Sequence, residues 1–195
     1  MSKPEAKQFE AVAWLNELKM ISELPPVACL PDLSGCLNHG MSIGPGVKDM
    51  AAANISNEEL FRETESFLSA AGVTNGPRTL MLVNSGEIEF AVPSAKEIKA
   101  SVLITNQPGH VLMIKPADCP VVLIHGSGEP GNHLGLVHAG RDDLNSATVS
   151  RAVAAMREYG CQNFRAGVLP GISFENYFVQ AADNLIDTTF WNGFS

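Results

Sequence analysis

The chain lacks the cysteine spacing of a zinc finger, an apolar run long enough for a membrane, and any cluster of positive charge. Each lack removes a class of protein. Its four cysteines, Cys29, Cys36, Cys119 and Cys161, include no C-x-x-C pair, which excludes a four-cysteine zinc site. No secretory leader accompanies them, so reduced thiols in a cytoplasmic protein are expected rather than a disulfide framework. No stretch approaches the roughly 18 apolar residues of a spanning helix, so no membrane partner is expected. The 13 Lys and Arg are scattered among 21 Asp and Glu, for a formal charge of −8. A nucleic-acid polymer is therefore not an expected partner, whereas a small nucleoside stays open. Internal repeats and low-complexity segments are absent too.

What is present reads as one globular domain over 1–195, with a helical extension over 1–24 and a core over 25–195. Phe9 to Met20 mixes Glu10, Asn16, Glu17 and Lys19 among apolar residues. Trp14, Leu18 and Ile21 repeat at i, i+4 and i+7, which predicts one apolar helix face. From Leu24 to Gly46 the chain is rich in Pro, Gly and Ser and reads as irregular, with Asn38-His39-Gly40 inside it. Ser56 and Glu59 form a capping box for a helix that Gly72 ends. Strands are expected at Thr79–Val83, Glu87–Val92, Ser101–Thr105, Val111–Lys115, Val121–Gly126 and Leu134–Ala139. Asn84-Ser85-Gly86 reads as a hairpin joining the first two. A helix over Asp143–Tyr159, a strand over Phe164–Leu169 and a helix from Glu175 complete the order. Strands that follow one another without alternating helices predict an α+β fold with a mixed or antiparallel sheet.

Cys119 and His138 form the most informative pair. An antiparallel hairpin with its loop near Gly126–Asn132 places Cys119 opposite His138, or diagonal to it after a two-residue slip. Both registers put the side chains on one face, within about 4.5–8 Å. Pro120 cannot donate to a ladder and marks an edge or bulge. The pair supports a thiolate nucleophile activated by imidazole, or two ligands of an open zinc site that needs a third from elsewhere. An inert buried thiol beside an unrelated histidine is the structural alternative. His125 is about 20 Å along the strand from Cys119 and cannot share an ion with it. His110 and His133, at turns or strand starts, read as solvated, and His39 is an outside candidate. Asp118 reads as an acid/base or an orienting partner for His138, or else as a turn residue.

Three segments carry a resemblance: Thr105-Asn106-Gln107-Pro108-Gly109, Pro116-Ala117-Asp118-Cys119-Pro120-Val121-Val122-Leu123, and Gly135-Leu136-Val137-His138-Ala139-Gly140. In order and spacing they resemble the YfiH family, also called laccase-domain or polyphenol-oxidoreductase proteins. That family shows T-N-x-x-G, T-A-D-C-x-P-V-L and V-H-A-G-W-R-G. The resemblance is close from Thr105 to Gly140 and faint elsewhere. It implies a YfiH-like sandwich flanked by helices, and purine nucleoside phosphorolysis or deamination. It also implies a metal, zinc, held by one cysteine and two histidines, with phosphate as co-substrate where the reaction is phosphorolytic. Cys119 and His138 carry over as metal ligands, and with Asp118 as catalytic residues.

The departures are as specific. The family's L-N-L-G-x-H-x-G stands here as Leu37-Asn38-His39-Gly40-Met41-Ser42-Ile43-Gly44, with Ser42 in place of the histidine. Its Q-V-H-G stands as Val83-Asn84-Ser85-Gly86, so Ser85 replaces the third ligand. Trp-Arg-Gly after the histidine becomes Arg141-Asp142-Asp143, exchanging a cation for acid. Asn38, Ser42, Ser85 and Arg141 are the substrate-binding positions implied by the same match. Three functions follow as expectations: a purine nucleoside-processing enzyme, a metal-independent Cys-His hydrolase or deamidase, and a non-catalytic ligand-binding domain on the same scaffold.

Overall fold

Runs such as Val102-Leu103-Ile104 and Val121-Val122-Leu123-Ile124 put bulky side chains on both faces of a strand, so both faces must be covered. The computed structural model describes residues 19–23, 26–30, 33, 41–42, 57–73, 76–116, 119–129, 131–169 and 171. The strands are β1 (Lys19–Glu23), β2 (Pro26–Cys29), β3 (Met41–Ser42), β4 (Arg78–Phe90), β5 (Glu97–Thr105), β6 (Val111–Ile114), β7 (Val121–Gly128), β8 (Gly131–His138) and β9 (Cys161–Leu169). The helices are α1 (Asn57–Ala70), α2 (Arg141–Asn145) and α3 (Thr148–Glu158). A six-stranded sheet runs β6-β4-β5-β8-β7-β9, and β1-β2-β3 form a second, antiparallel sheet. β4 is parallel to β5 and β6, and the remaining pairs of the large sheet are antiparallel. The fold is α+β with a mixed sheet.

Alternation divides the large sheet into two cores. Leu103, Val121, Leu123 and Leu136 pack on one face with Met81, Leu169 and Leu33. Val102, Ile104, Val122, Ile124 and Val137 pack on the other, with Ala152 and Met156 of α3 and with Cys161. Gly126 lets α3 lie this low: a Cβ there would stand 2.9 Å from Met156 Cε and 3.0 Å from Cys161 Sγ. On the first face Leu30 and Leu33 close over Gly167 in the same way. Among the described residues no helix is long and apolar enough to cross a membrane.

Several sequence expectations are corrected. Asn84-Ser85-Gly86 is no hairpin: Thr79–Val83 and Glu87–Phe90 belong to one strand, β4, paired in parallel with β5 on both sides of a bulge. The expected helix over Asp143–Tyr159 is two helices starting at Arg141, divided at Ala147, whose φ of 53° lies in the left-handed region. Lys19 and Met20 open a strand rather than ending a helix, and Phe9 to Leu18 lie outside the described residues. The segment read as irregular contributes β2 and β3. Residues from Glu175 onward also lie outside the described residues.

His110 and His133 are buried, not solvated. Thr79 Oγ1 donates to the Ala95 carbonyl at 2.6 Å, so it accepts from His110 Nε2–H at 2.9 Å. His110 Nδ1 then accepts from Thr105 Oγ1 at 2.9 Å. This chain of bonds needs a neutral ring, and burial holds the His110 pKa below its ordinary 6.5. Burial, and secondarily Arg165, does the same to His125. A depressed folded pKa means stability that is complete above the unfolded value and lost as pH falls through the folded one. Denaturant midpoints are therefore expected to fall between about pH 7.5 and about pH 5.5, and to fall less in His110→Gln. Equal losses in the two chains would contradict this account of His110.

Candidate functional site

Register brings the site together. The β7–β8 ladder starts at its turn with Gly128 opposite Gly131 and ends with Val121 opposite His138. The Ala139 N–H donates to the Pro120 carbonyl at 3.0 Å, which carries the ladder one step further. This is the slipped register of the two the sequence allowed. Cys119 thus stands diagonal to His138, a relation that corresponds to about 7–8 Å between Cα atoms. Cys119 is half-buried, and its N–H donates to the Pro116 carbonyl at 3.1 Å, in a turn that Pro120 leaves unable to continue as strand.

The opposite side of His138 is built by β5 and β4. Val102 pairs with Val137, so the next step of that ladder sets Ser101 beside His138. Between Val83↔Ala100 and Ile88↔Val102, residues 84–87 of β4 stand against Ser101 alone. The Gly86 N–H donates to Ser101 Oγ at 3.2 Å, which pins the bulge at the same sheet end. Bulges re-aim a strand where a site needs it. Ser85 lies in that bulge, one residue from the pinned amide; its side chain lies outside the described ones.

From below, α2 supplies a residue that the sequence reading did not single out. Asp143 Oδ2 lies 2.5 Å from His138 Nδ1, and both side chains are buried. The other oxygen, Oδ1, is buried with no hydrogen-bond partner among the described residues. Gly140 is required between them, because a Cβ there would come within 2.6 Å of His138 Cε1. Ser146 Oγ donates to the Asp143 carbonyl at 3.0 Å and accepts from Thr148 Oγ1 at 2.7 Å, tying α2 to the start of α3. A carboxylate five residues after a histidine, across a strand-to-helix turn, was the signal available. The resemblance sets Asp143 where the family's Trp-Arg-Gly has glycine.

The other predicted residues divide. Arg141 opens α2 half-buried, with Nε 3.5 Å from the exposed Asp142 carboxylate. Ser42 belongs to β3, in the small sheet. Asn38, His39 and Asp118 lie outside the described residues. Among the thiols, burial pushes that of Cys161 up, which makes it the less reactive kind. Cys119, at the open end of the ladder, lacks that enclosure.

The metal implied by the resemblance can be tested on the donor set. Asp143 on His138 Nδ1 is the carboxylate–imidazole pairing that orients many metal-bound histidines, and it leaves Nε2 as the coordinating atom. Cys119 offers a sulfur. A third ligand does not follow: among the described residues no three His, Cys, Asp or Glu converge on a common point. Two donors fall short of the three protein ligands of a catalytic zinc.

The fold is shared with known proteins. Residues 37–191 match the sequence profile of the multi-copper polyphenol oxidoreductase laccase family. Similar solved structures include YlmD from Geobacillus stearothermophilus, at 17% identity and TM-score 0.63, covering 84% of this chain and 70% of that one. The Bacillus licheniformis hypothetical protein YfiH aligns at 14% identity and TM-score 0.58, over 87% of this chain and 75% of that one. A Neisseria meningitidis protein aligns at 16% identity and TM-score 0.52, over 83% and 65% of the two chains. No curated protein matches the chain significantly in sequence. With the profile matched over most of its length and the sheet shared with YfiH and YlmD, the chain belongs to the YfiH-type, laccase-domain family.

Proposed function

We propose that this chain is an enzyme that processes purine nucleosides at the Cys119–His138 centre, with a small-molecule substrate and no polymeric nucleic acid. One observation carries the reading: His138, with its imidazole already oriented, closes β8 opposite Val121, and the family's cysteine, Cys119, stands two residues before that partner. Because Nδ1 is engaged by Asp143, Nε2 is the ring atom left to exchange a proton with substrate. In deamination it takes a proton from the attacking water and returns one to the departing ammonia. In phosphorolysis, dihydrogen phosphate gives a proton to Nε2 and attacks the sugar carbon as the glycosidic bond breaks, and Nε2 passes that proton to the leaving purine. Arg141 is the nearby cation for an anionic group, weakened in that role by Asp142. Zinc held by Cys119 and His138 Nε2 would instead supply a Lewis acid and take that ring atom out of proton exchange, at the low occupancy expected of two protein ligands.

The buried His138–Asp143 hydrogen bond also favours a second reading, a Cys-His hydrolase or deamidase that needs no metal, since a carboxylate-oriented imidazole can activate a thiol directly. One set of assays separates them. Adenosine or inosine with phosphate should yield free base and sugar phosphate, or adenosine alone should yield ammonia. Release of neither would overturn the nucleoside reading. Chelator-resistant, phosphate-independent cleavage of an amide or ester, lost in Cys119→Ala, would establish the second reading in its place.

A further inference from the structure

The family pattern has glycine where this chain has Asp143, and the exchange has a structural consequence. An aspartate on an exposed helix start would be solvated and inert. Asp143 is instead 1% exposed, one carboxylate oxygen is 2.5 Å from His138 Nδ1, and the other has no hydrogen-bond partner among the described residues. Burying a carboxylate with an oxygen unsatisfied is costly, and such a residue persists where its contact matters to the site. The surroundings are shaped to hold that contact. Gly140 leaves space that a Cβ would take from the imidazole, and the left-handed Ala147 breaks the helix so that the short α2 can turn under the sheet end. Ser146 and Thr148 tie the break in place.

We propose that Asp143 is a positioning residue that fixes His138 as the Nδ1–H tautomer, with Nε2 bare and turned toward Cys119. An ionised carboxylate can only accept, so the hydrogen bond places the proton on Nδ1 and leaves the lone pair on Nε2. The same division of labour orients the histidine of hydrolase triads, where the acid selects the tautomer without itself carrying the reacting proton. Here it compensates for the ligand lost at Ser85: the ring is oriented by α2 and does not depend on a metal for its direction. This rests on the reading that Cys119 and His138 form the working pair, but not on which substrate they serve.

The test uses the full-length chain and two readouts independent of nucleoside. In ¹⁵N-histidine spectra the parent should show His138 protonated at Nδ1. Asp143→Asn should shift it toward the Nε2–H form, because the carboxamide can donate to Nδ1. Alkylation of Cys119 by iodoacetamide at fixed pH, read by peptide mapping, should slow by about tenfold or more in Asp143→Asn and recover in part in Asp143→Glu. A purely structural role would lower the melting temperature without moving the tautomer. An Nε2–H ring in the parent, or unchanged alkylation in Asp143→Asn, overturns the proposal. Should Asp143→Asn not fold, Gly140→Ala displaces the ring from the carboxylate by sterics and is read in the same two ways. The expected tautomer and labelling without nucleoside turnover would uphold Asp143 and refute only the nucleoside reading.

Discussion

Alanine in place of His138 is expected to cut nucleoside turnover by about 10²–10⁴-fold, the range a positioned general acid or base contributes. In the proposed mechanism Nε2 exchanges the proton, and neither His110 nor His133 is placed to replace it. His110 is consumed by two threonines, and His133 packs among Phe90 and Tyr159 on the opposite sheet face. The same substitution should destabilise the fold. Asp143 Oδ2 would lose its partner while Oδ1 already lacks one among the described residues, and a buried polar group left unpaired costs about 1–3 kcal/mol. Initial rates and urea unfolding on the same preparation check both effects. Turnover within about tenfold of the parent would remove His138 from the chemistry.

The largest stability effect is expected at Met156, well away from the reacting groups. Its side chain is fully buried and fills the space over Gly126 and Gly135, two sheet positions that have no side chain of their own. Met156→Ala should therefore fall toward the upper part of the usual range of about 2–5 kcal/mol for such a truncation. For a chain of this size that lowers Tm by roughly 4–20 °C. Met156→Leu, which nearly conserves volume, should cost less than about 1.5 kcal/mol. Thermal unfolding of the three chains decides the matter. A Met156→Ala chain that melts with the parent would show that α3 is not seated by this contact.

Particular residues show why some of this was legible in the sequence. The runs at 102–104 and 121–124 announce buried strands because no exposed strand tolerates consecutive bulky apolar residues. Parity alone put Cys119 and His138 on one face, in either of two registers, because side chains alternate with a period of two. The turn chemistry did not choose between those registers; the tight Gly128–Gly131 closure did. Asn84-Ser85-Gly86 carries the residues of a hairpin turn, and local preference pointed to one. Parallel pairing of both flanks with β5 turned it into a bulge instead.

The sequence by itself determined the fold class, the apolar faces and the shared face of Cys119 and His138, because these follow from period and motif spacing. Only the tertiary structure decided what surrounds that pair. Asp143 reaches His138 because the helix breaks at Ala147, Gly140 has no Cβ, and Ser101 draws the β4 bulge to the same sheet end. The Gly86–Ser101 bond joins strands that meet only when the sheet has closed, and the His138–Asp143 bond, although its partners are five residues apart, depends on how α2 packs at that sheet end, which no local preference encodes.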